Sequence, residues 1–315
     1  PLYTTGQSMT FYPLNMLFFV IPLPQAFVFF TIVHLLLGGL FTYLLFRRFD
    51  AGPFGAAVGG TVFAVGGLFV ARIVFPMFLA TGIWLPLMIL WLDVVAEPGA
   101  LRRRPWLVLL GPPLFAMPLL GGFLEIAFYA YLACGLFTLV RFARMLAARQ
   151  ALIDGTRYLG KALLVVVFGV TLSAPQLLAF LEVMKLNVRA GEGSFESVKG
   201  SAMTGREMLT VAIPDALGNP TRHTGLDLAA RQWKPVRTPG GDNNHYFGPK
   251  NYVEVDFYFG VLPLLFLLIG VSAPGRQRLY FWLLLILPLA FAFVTPVYGR
   301  GQGRHYFTCM NTMSS

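Results

Sequence analysis

Apolar residues run along this chain in stretches of about 18 or more, the length a helix needs to cross roughly 30 Å of hydrocarbon, and not in the period-two alternation of outer-membrane strands. Such stretches can be drawn near residues 25–46, 53–71, 73–95, 105–120, 122–140, 160–181, 257–273 and 279–298. The run PWLVLLGPPLFAMPLL at 105–120 is short and proline-rich, and 53–71 is rich in glycine. Both residue types are tolerated in membrane helices, because neighbouring helices re-satisfy freed backbone groups and small residues let backbones approach closely. The pattern predicts an all-α polytopic transmembrane helical bundle of about eight spans.

Charge alternates between the runs. Arg47 and Arg48, then Arg102 to Arg104, then Arg141 to Lys161, then Arg276 and Arg278 occupy every second connection, whereas the short connections between them hold only Arg72 or the bare Gly121–Gly122 pair. Short loops rich in Lys and Arg stay cytoplasmic. The alternation therefore places residues 1–24, 185–250 and the tail after 298 on the outer face of a cell inner or plasma membrane. The 185–250 segment is polar and carries RAGEGS, DALGNPTRHTG and RTPGGDNNHYFGP. It is too long for a simple connector and too irregular to read as a domain, which fits either a lid or substrate platform or a plain surface loop. The chain thus reads as one membrane domain over 1–315 with an extracytoplasmic loop at 185–250 inside it.

Composition removes the soluble alternatives. Hydrophobic residues make up 57% of the chain and charged ones 12%, with a mean hydropathy of +0.68, too little polar surface to cover a soluble globule. The net charge of +10 would raise nucleic acid as a partner for a soluble domain, but here the basic residues are spread between apolar runs, which topology explains and a nucleic-acid patch does not. Cys134 and Cys309 are too far apart in sequence for a CxxC site, and His34, His223, His245 and His305 show no metal-ligand spacing. There is no P-loop, HExxH or GxSxG motif, and no inverted pair of broken helices of the kind that marks secondary transporters. The chain opens on proline and stops at FTCMNTMSS, so it is expected to be a fragment cut at both ends.

What remains is polar side chains at membrane depth, which are site candidates by default. Glu125, in GGFLEIAFYAY, falls near the outer start of its helix, where the helix dipole favours a carboxylate. It fits a hydrogen-bonding role within the bundle and a place in a water-filled cavity equally well. In SAPQLLAFLE, Pro175 should break the helix and free backbone groups near Gln176 and Glu182, though a proline kink with polar capping reads the same way. Arg72 and Arg189 are outer-face cations that either hold a lipid phosphate bidentately or snorkel to ordinary headgroups. His34, about 14 Å into its span at 1.5 Å per residue, is expected to be buried and hydrogen-bonded. Asp93 and Glu97 are expected at the inner interface, and Tyr12, Trp84, Trp91 and Trp106 near span ends as belt anchors.

Taken in order, YPLNMLFF (12–19), HLLLGGLFTYLLFRRF (34–49), GGLFVAR (66–72), WLPLMILWLD (84–93), GGFLEIAFYA (121–130), LSAPQLLAFLE with Arg189 after it, and YVEVDFYFGVLPLLF (252–266) resemble the bacterial YfhO-like membrane proteins of the GT-C glycosyltransferase superfamily. The resemblance rests on shared order and spacing over residues 10 to 270, since each motif alone is a short apolar pattern. It implies a GT-C-like bundle and a transferase moving a sugar from a polyprenyl-phosphate-linked donor to a cell-envelope glycan or lipid acceptor at the outer face. It also implies that the principal acidic residue, which takes the acceptor's proton, belongs to a loop upstream of residue 1, so the catalytic position is unassigned here. The substrate-binding candidates are then Glu125, Gln176, Glu182, Arg72 and Arg189. Some GT-C enzymes use a divalent cation, and nothing in this sequence demands one. The tail PVYGRGQGRHYFTCMNTMSS departs from the family, which continues into further helices. A transporter or flippase of a lipid-linked envelope precursor would use the same outer charges, and a noncatalytic envelope-assembly protein would need none of them.

Overall fold

A computed structural model describes residues 7–148, 152–184, 207–211, 213, 216, 224–227, 232–235, 275 and 278–287. The predicted span at 257–273, Arg189 and most of the 185–250 segment lie outside the described residues. The chain divides into two compact units, Pro1–Asn187 with Pro274–Phe281, and Val188–Ala273 with Trp282–Ser315.

In the first unit a 3₁₀ turn, Pro13–Met16, and a short helix α1, Leu17–Val20, lead into α2, Leu23–Arg48. The 26 residues of α2 reach about 39 Å at 1.5 Å per residue, enough to cross a bilayer with tilt. The helix stops because Asp50 takes a left-handed conformation, φ +65°, while Ala51 N–H bonds Phe46 O at 2.9 Å and Asp50 N–H bonds Arg47 O at 3.3 Å. That pair of bonds closes a Schellman turn, and Pro53 then starts α3, Pro53–Val65, at a position that needs no N–H.

The next spans are segmented. Gly66, extended at ψ 156°, separates α3 from α4, Gly67–Val70, and a kink at Ile83–Trp84 separates α5, Pro76–Gly82, from α6, Leu85–Val95. After one turn, α7 at Ala100–Arg103, α8 runs Trp106–Leu120 and stays helical through Pro112, Pro113 and Pro118. The helices α9, Leu124–Ala147, and α10, Leu152–Leu172, follow, and α11, Ala174–Met184, continues after a break at Ser173. The span predicted at 160–181 is therefore corrected at both ends. The helix begins eight residues earlier, with half-buried Asp154 in its first turn and exposed Arg157 in its second instead of in a loop, and it breaks two residues ahead of Pro175. A last helix, α12, runs Arg278–Leu287, and its residues through Phe281 belong to the first unit.

Among the described residues, five helical segments are long and apolar enough to cross a membrane, and α8 and α12 are shorter apolar helices. The chain is a mostly helical, multi-pass membrane protein. The α5–α6 segment is the centre of the first unit, since 72% of its most apolar stretch is buried against at most 33% for the other four. The outward faces of α2, α9 and α10 present Leu36, Leu40, Leu132, Leu139, Leu163 and Leu164, as a lipid-facing surface should. The helices α2 and α3 meet through glycine: a Cβ placed on Gly60 would sit 2.6 Å from the Gly39 carbonyl oxygen. Such backbone approach is how membrane helices gain contact where water-driven burial is absent.

In the second unit the described residues form a 3₁₀ turn, Glu207–Val211, and an antiparallel pair, β1 Thr224–Asp227 and β2 Gln232–Pro235, in register Leu226 opposite Trp233.

Candidate functional site

The helices of the first unit alternate in direction, which collects their basic termini at one end. Arg48 closes α2, Asp93 closes α6 and Arg141 lies in the second half of α9. Arg48 donates from Nε to Asp93 Oδ2 at 2.6 Å and from a terminal nitrogen to Glu97 at 2.7 Å. Arg141 Nε faces Asp93 Oδ1 at 3.5 Å, an ion pair without a hydrogen bond, and Arg103 reaches Glu97 at 3.7 Å. Lys161 of α10 donates to Val95 O at 3.1 Å. The Asp93 side chain is only 5% exposed. This corrects the expectation that Asp93 faces headgroups: in a span that supplies no neighbour of opposite sign, a carboxylate is tolerable only when cations from other helices close on it. Glu97 does lie nearer the surface, and the Arg48 hydrogen bond, helped by Arg103 and Arg104, holds its carboxyl below the usual range against a smaller opposing effect of burial.

The end opposite this lock holds the predicted site residues. Arg72, in the turn after α4, sets its guanidinium 5.0 Å from the Phe78 ring centre, close enough for a cation–π contact. The Phe78 ring lies 5.5 Å from that of Phe123, the residue that precedes α9. Phe123 N–H donates to Thr81 Oγ1 at 3.2 Å. The turn before it needs its glycines, because Gly122 has φ +84° and a Cβ on Gly121 would lie 2.6 Å from Thr81 Oγ1 and 2.8 Å from Ala80 O. Glu125 follows in the first turn of α9, exposed, with no hydrogen bond or ion pair to another described residue.

Gln176 approaches from another helix. Buried in the first turn of α11, it donates from Nε2 to Leu119 O and Leu120 O, both at 3.3 Å, so it ties α11 to the end of α8 just ahead of the Gly121–Gly122 turn. Its Oε1 is buried and accepts nothing from the described residues. Ser173, at the helix break, donates to Gly169 O at 2.9 Å and lies 3.3 Å from Ala116 O. The structure thus gathers Arg72, Glu125 and Gln176 around the α8–α9 turn. It leaves Glu182 exposed about 9 Å further along α11, and Arg189 is outside the described residues. Among the described residues no three His, Cys, Asp or Glu side chains gather as a metal site would require.

One feature of this end has no counterpart in the sequence reading. The Tyr12 hydroxyl donates to His34 Nε2 at 2.8 Å, His34 Nδ1 donates to Phe30 O at 2.6 Å, and Trp84 Nε1 donates to the Tyr12 oxygen at 3.1 Å. The tautomer follows from the carbonyl: Phe30 O can only accept, so Nδ1 carries the proton and Nε2 accepts from tyrosine. His34 is fully buried and hydrogen-bonded, as its depth suggested. The belt reading fails for Tyr12, Trp84 and Trp91, whose polar atoms point inward to partners, Trp91 Nε1 donating to Leu107 O at 3.0 Å; Trp106 alone of the four is exposed. Burial pushes the Tyr12 phenol above its ordinary range, and the Trp84 N–H only partly offsets this.

The chain pins the segment ahead of α2 in place. Phe11 and Pro13, on either side of Tyr12, line a half-open apolar cavity of about 270 Å³ together with Met117, Leu120, Leu172 and Pro175. Tyr12→Phe is expected to leave His34 Nε2 and Trp84 Nε1 without a partner. That should cost about 1–3 kcal/mol in thermal unfolding and raise protease sensitivity ahead of Leu23; unchanged stability would show that the hydroxyl contributes nothing net.

No family model, curated protein or solved structure matches this chain.

Proposed function

We propose that this protein is a membrane glycosyltransferase of the GT-C type, acting at the bundle end opposite the Arg48–Asp93–Arg141 lock. The observation that carries the reading is the placement of a cation, a carboxylate and an amide, Arg72, Glu125 and Gln176, about the α8–α9 turn at one bundle end. The resemblance to YfhO-like proteins supplies the substrate class, a polyprenyl-phosphate-linked sugar and a hydroxyl acceptor of the cell envelope.

In that reaction the acceptor oxygen forms a bond to the sugar's anomeric carbon. The bond from that carbon to the phosphate oxygen breaks, its electron pair leaves with polyprenyl phosphate, and the acceptor's proton passes to a carboxylate. The resemblance gives that last role to an acidic residue that is none of the positions named here. Negative charge grows on the phosphate as the bond breaks, and a guanidinium placed there stabilises the transition state more than the ground state. Arg72 takes this role, with Phe78 fixing the plane of its fork. Glu125 accepts from the acceptor's hydroxyls, and Gln176 holds α8 and α11 together beside it. A divalent cation, where one is used, would find Glu125 as its nearest carboxylate in this group.

The test uses the full-length protein in vesicles with a radiolabelled polyprenyl-phosphate sugar. Arg72→Gln is expected to lower kcat/KM about 10²-fold, the scale of losing one donor to developing charge. Glu125→Gln should lower sugar transfer about tenfold while the thermal unfolding temperature holds. Normal transfer in both variants would remove Arg72 and Glu125 from the site, and movement of intact donor lipid across the vesicle with no sugar transferred would replace the transferase reading with a transporter.

A further inference from the structure

At the basic end, the connection from α6 to α8 carries more positive charge than the lock consumes. Arg103 shares Glu97 with Arg48, whereas Arg102 and Arg104 are exposed and have no hydrogen-bond or ion-pair partner among the described residues. Trp106 follows at once, 55% exposed, and its indole N–H likewise has no partner there. Three donors, two of them cationic, are therefore exposed within five residues, and only the Arg104 charge acts in part on Glu97.

The connection is held too firmly to be a trailing loop. Gly99 takes φ +72° and its carbonyl accepts from Arg102 N–H at 3.1 Å and Arg103 N–H at 3.0 Å; Arg104 N–H bonds Ala100 O at 2.8 Å, and Leu107 N–H bonds Arg104 O at 3.1 Å. Ala100 and Leu107 are buried at 2% and 4% exposure and anchor the turn on either side of the arginines. The Trp91 bond to Leu107 O fastens the start of α8 to α6. Arg102 and Arg104 thus sit within one helical turn of the first residue of an apolar helix, at headgroup height, with an exposed indole between them and the hydrocarbon.

We propose that the turn Gly99–Trp106 is a binding site for an anionic phospholipid, with Arg102 and Arg104 on the headgroup phosphate and Trp106 at the glycerol level. Guanidinium forks match phosphate oxygens bidentately, and an indole seats its ring in acyl chain while its N–H reaches the polar layer. Neutral headgroups carry a compensating cation that repels both arginines, so the site selects lipids with net negative charge, such as phosphatidylglycerol. The site lies at the opposite end from the proposed chemistry and stands whether or not that reading holds.

The test reconstitutes the whole chain in vesicles containing acyl-brominated phosphatidylglycerol or acyl-brominated phosphatidylcholine, and takes the Trp106 emission as the difference between wild type and Trp106→Phe. Brominated phosphatidylglycerol is expected to quench that emission at a lower mole fraction than brominated phosphatidylcholine. The preference should fall about fivefold for each of Arg102→Gln and Arg104→Gln, and it should shrink in 1 M salt in the wild type. Equal quenching by the two lipids, or a preference untouched by both substitutions and by salt, would overturn the proposal. So would loss of the preference on adding about 10 mM inorganic phosphate to the same vesicles at constant ionic strength, which would make this a site for the free anion. The salt and phosphate measurements use the unaltered protein, so they decide the matter even where an arginine variant fails to insert.

Discussion

Replacing Asp93 by asparagine is expected to cost about 3–5 kcal/mol of stability, among the largest single losses in the first unit. The carboxylate is buried and takes Arg48 at 2.6 Å and Arg141 at 3.5 Å, so removing its charge leaves two guanidinium groups facing each other in a low-dielectric end of the bundle. Arg48 keeps Glu97 at 2.7 Å, which sets the lower end of that range. Arg141 keeps no carboxylate among the described residues and carries most of the loss. The double substitution Asp93→Leu with Arg141→Leu should therefore recover much of it, because a buried pair replaced whole by apolar side chains is often neutral. Thermal unfolding in one fixed detergent measures both. A single variant as stable as wild type would mean that water reaches this end and the pair is an ordinary surface bridge.

Gly60→Ala is the second expected large effect, and its sign runs against helix propensity. Alanine is favoured over glycine inside a helix by about 1 kcal/mol, yet here the new methyl would lie 2.6 Å from Gly39 O, a backbone atom that cannot swing aside. Helices α2 and α3 must separate to admit it, with an expected net loss of about 1–3 kcal/mol. Gly135→Ala, in α9, is the control: nothing lies within 4 Å of the added carbon, so propensity acts alone and stability should rise by about 0.5–1 kcal/mol. If the two substitutions move the unfolding temperature the same way, close backbone approach is not what joins α2 to α3.

How far the sequence could be read depended on how far apart the interacting residues lie. The long spans were legible because length and hydropathy are local: the stretch at 25–46 is α2 with two residues added at each end, stopped by Arg47 and Arg48 and a left-handed Asp50. Charge misled where it was local and the structure was not. Arg157 reads as a residue of a connection, yet it rides the second turn of α10, exposed. Asp93 read as an interface residue because its neutralising partner Arg48 lies 45 positions away and no local pattern announces it. The breaks at Gly66 and Trp84 were also invisible, because glycine and proline occur in unbroken membrane helices too, as Pro112, Pro113 and Pro118 in α8 demonstrate. For the candidate site, the individual residues Arg72, Glu125 and Gln176 could be picked out as polar groups in apolar surroundings. Their grouping around the α8–α9 turn could not, since it depends on Phe78 touching Phe123 and on Gln176 reaching back to Leu119 and Leu120.

The Tyr12 chain also sets an order in time. Tyr12 leaves the ribosome before either of its partners, and Trp84, which donates to its hydroxyl, follows 72 residues later. At about 5–20 residues per second that is a wait of roughly 4–14 s, during which the Tyr12 oxygen is without its indole donor. The segment ahead of α2 is therefore the first part of this region to be made and the last to be fastened, and the cavity wall formed by Phe11 and Pro13 takes its final position only after the central α5–α6 segment has arrived.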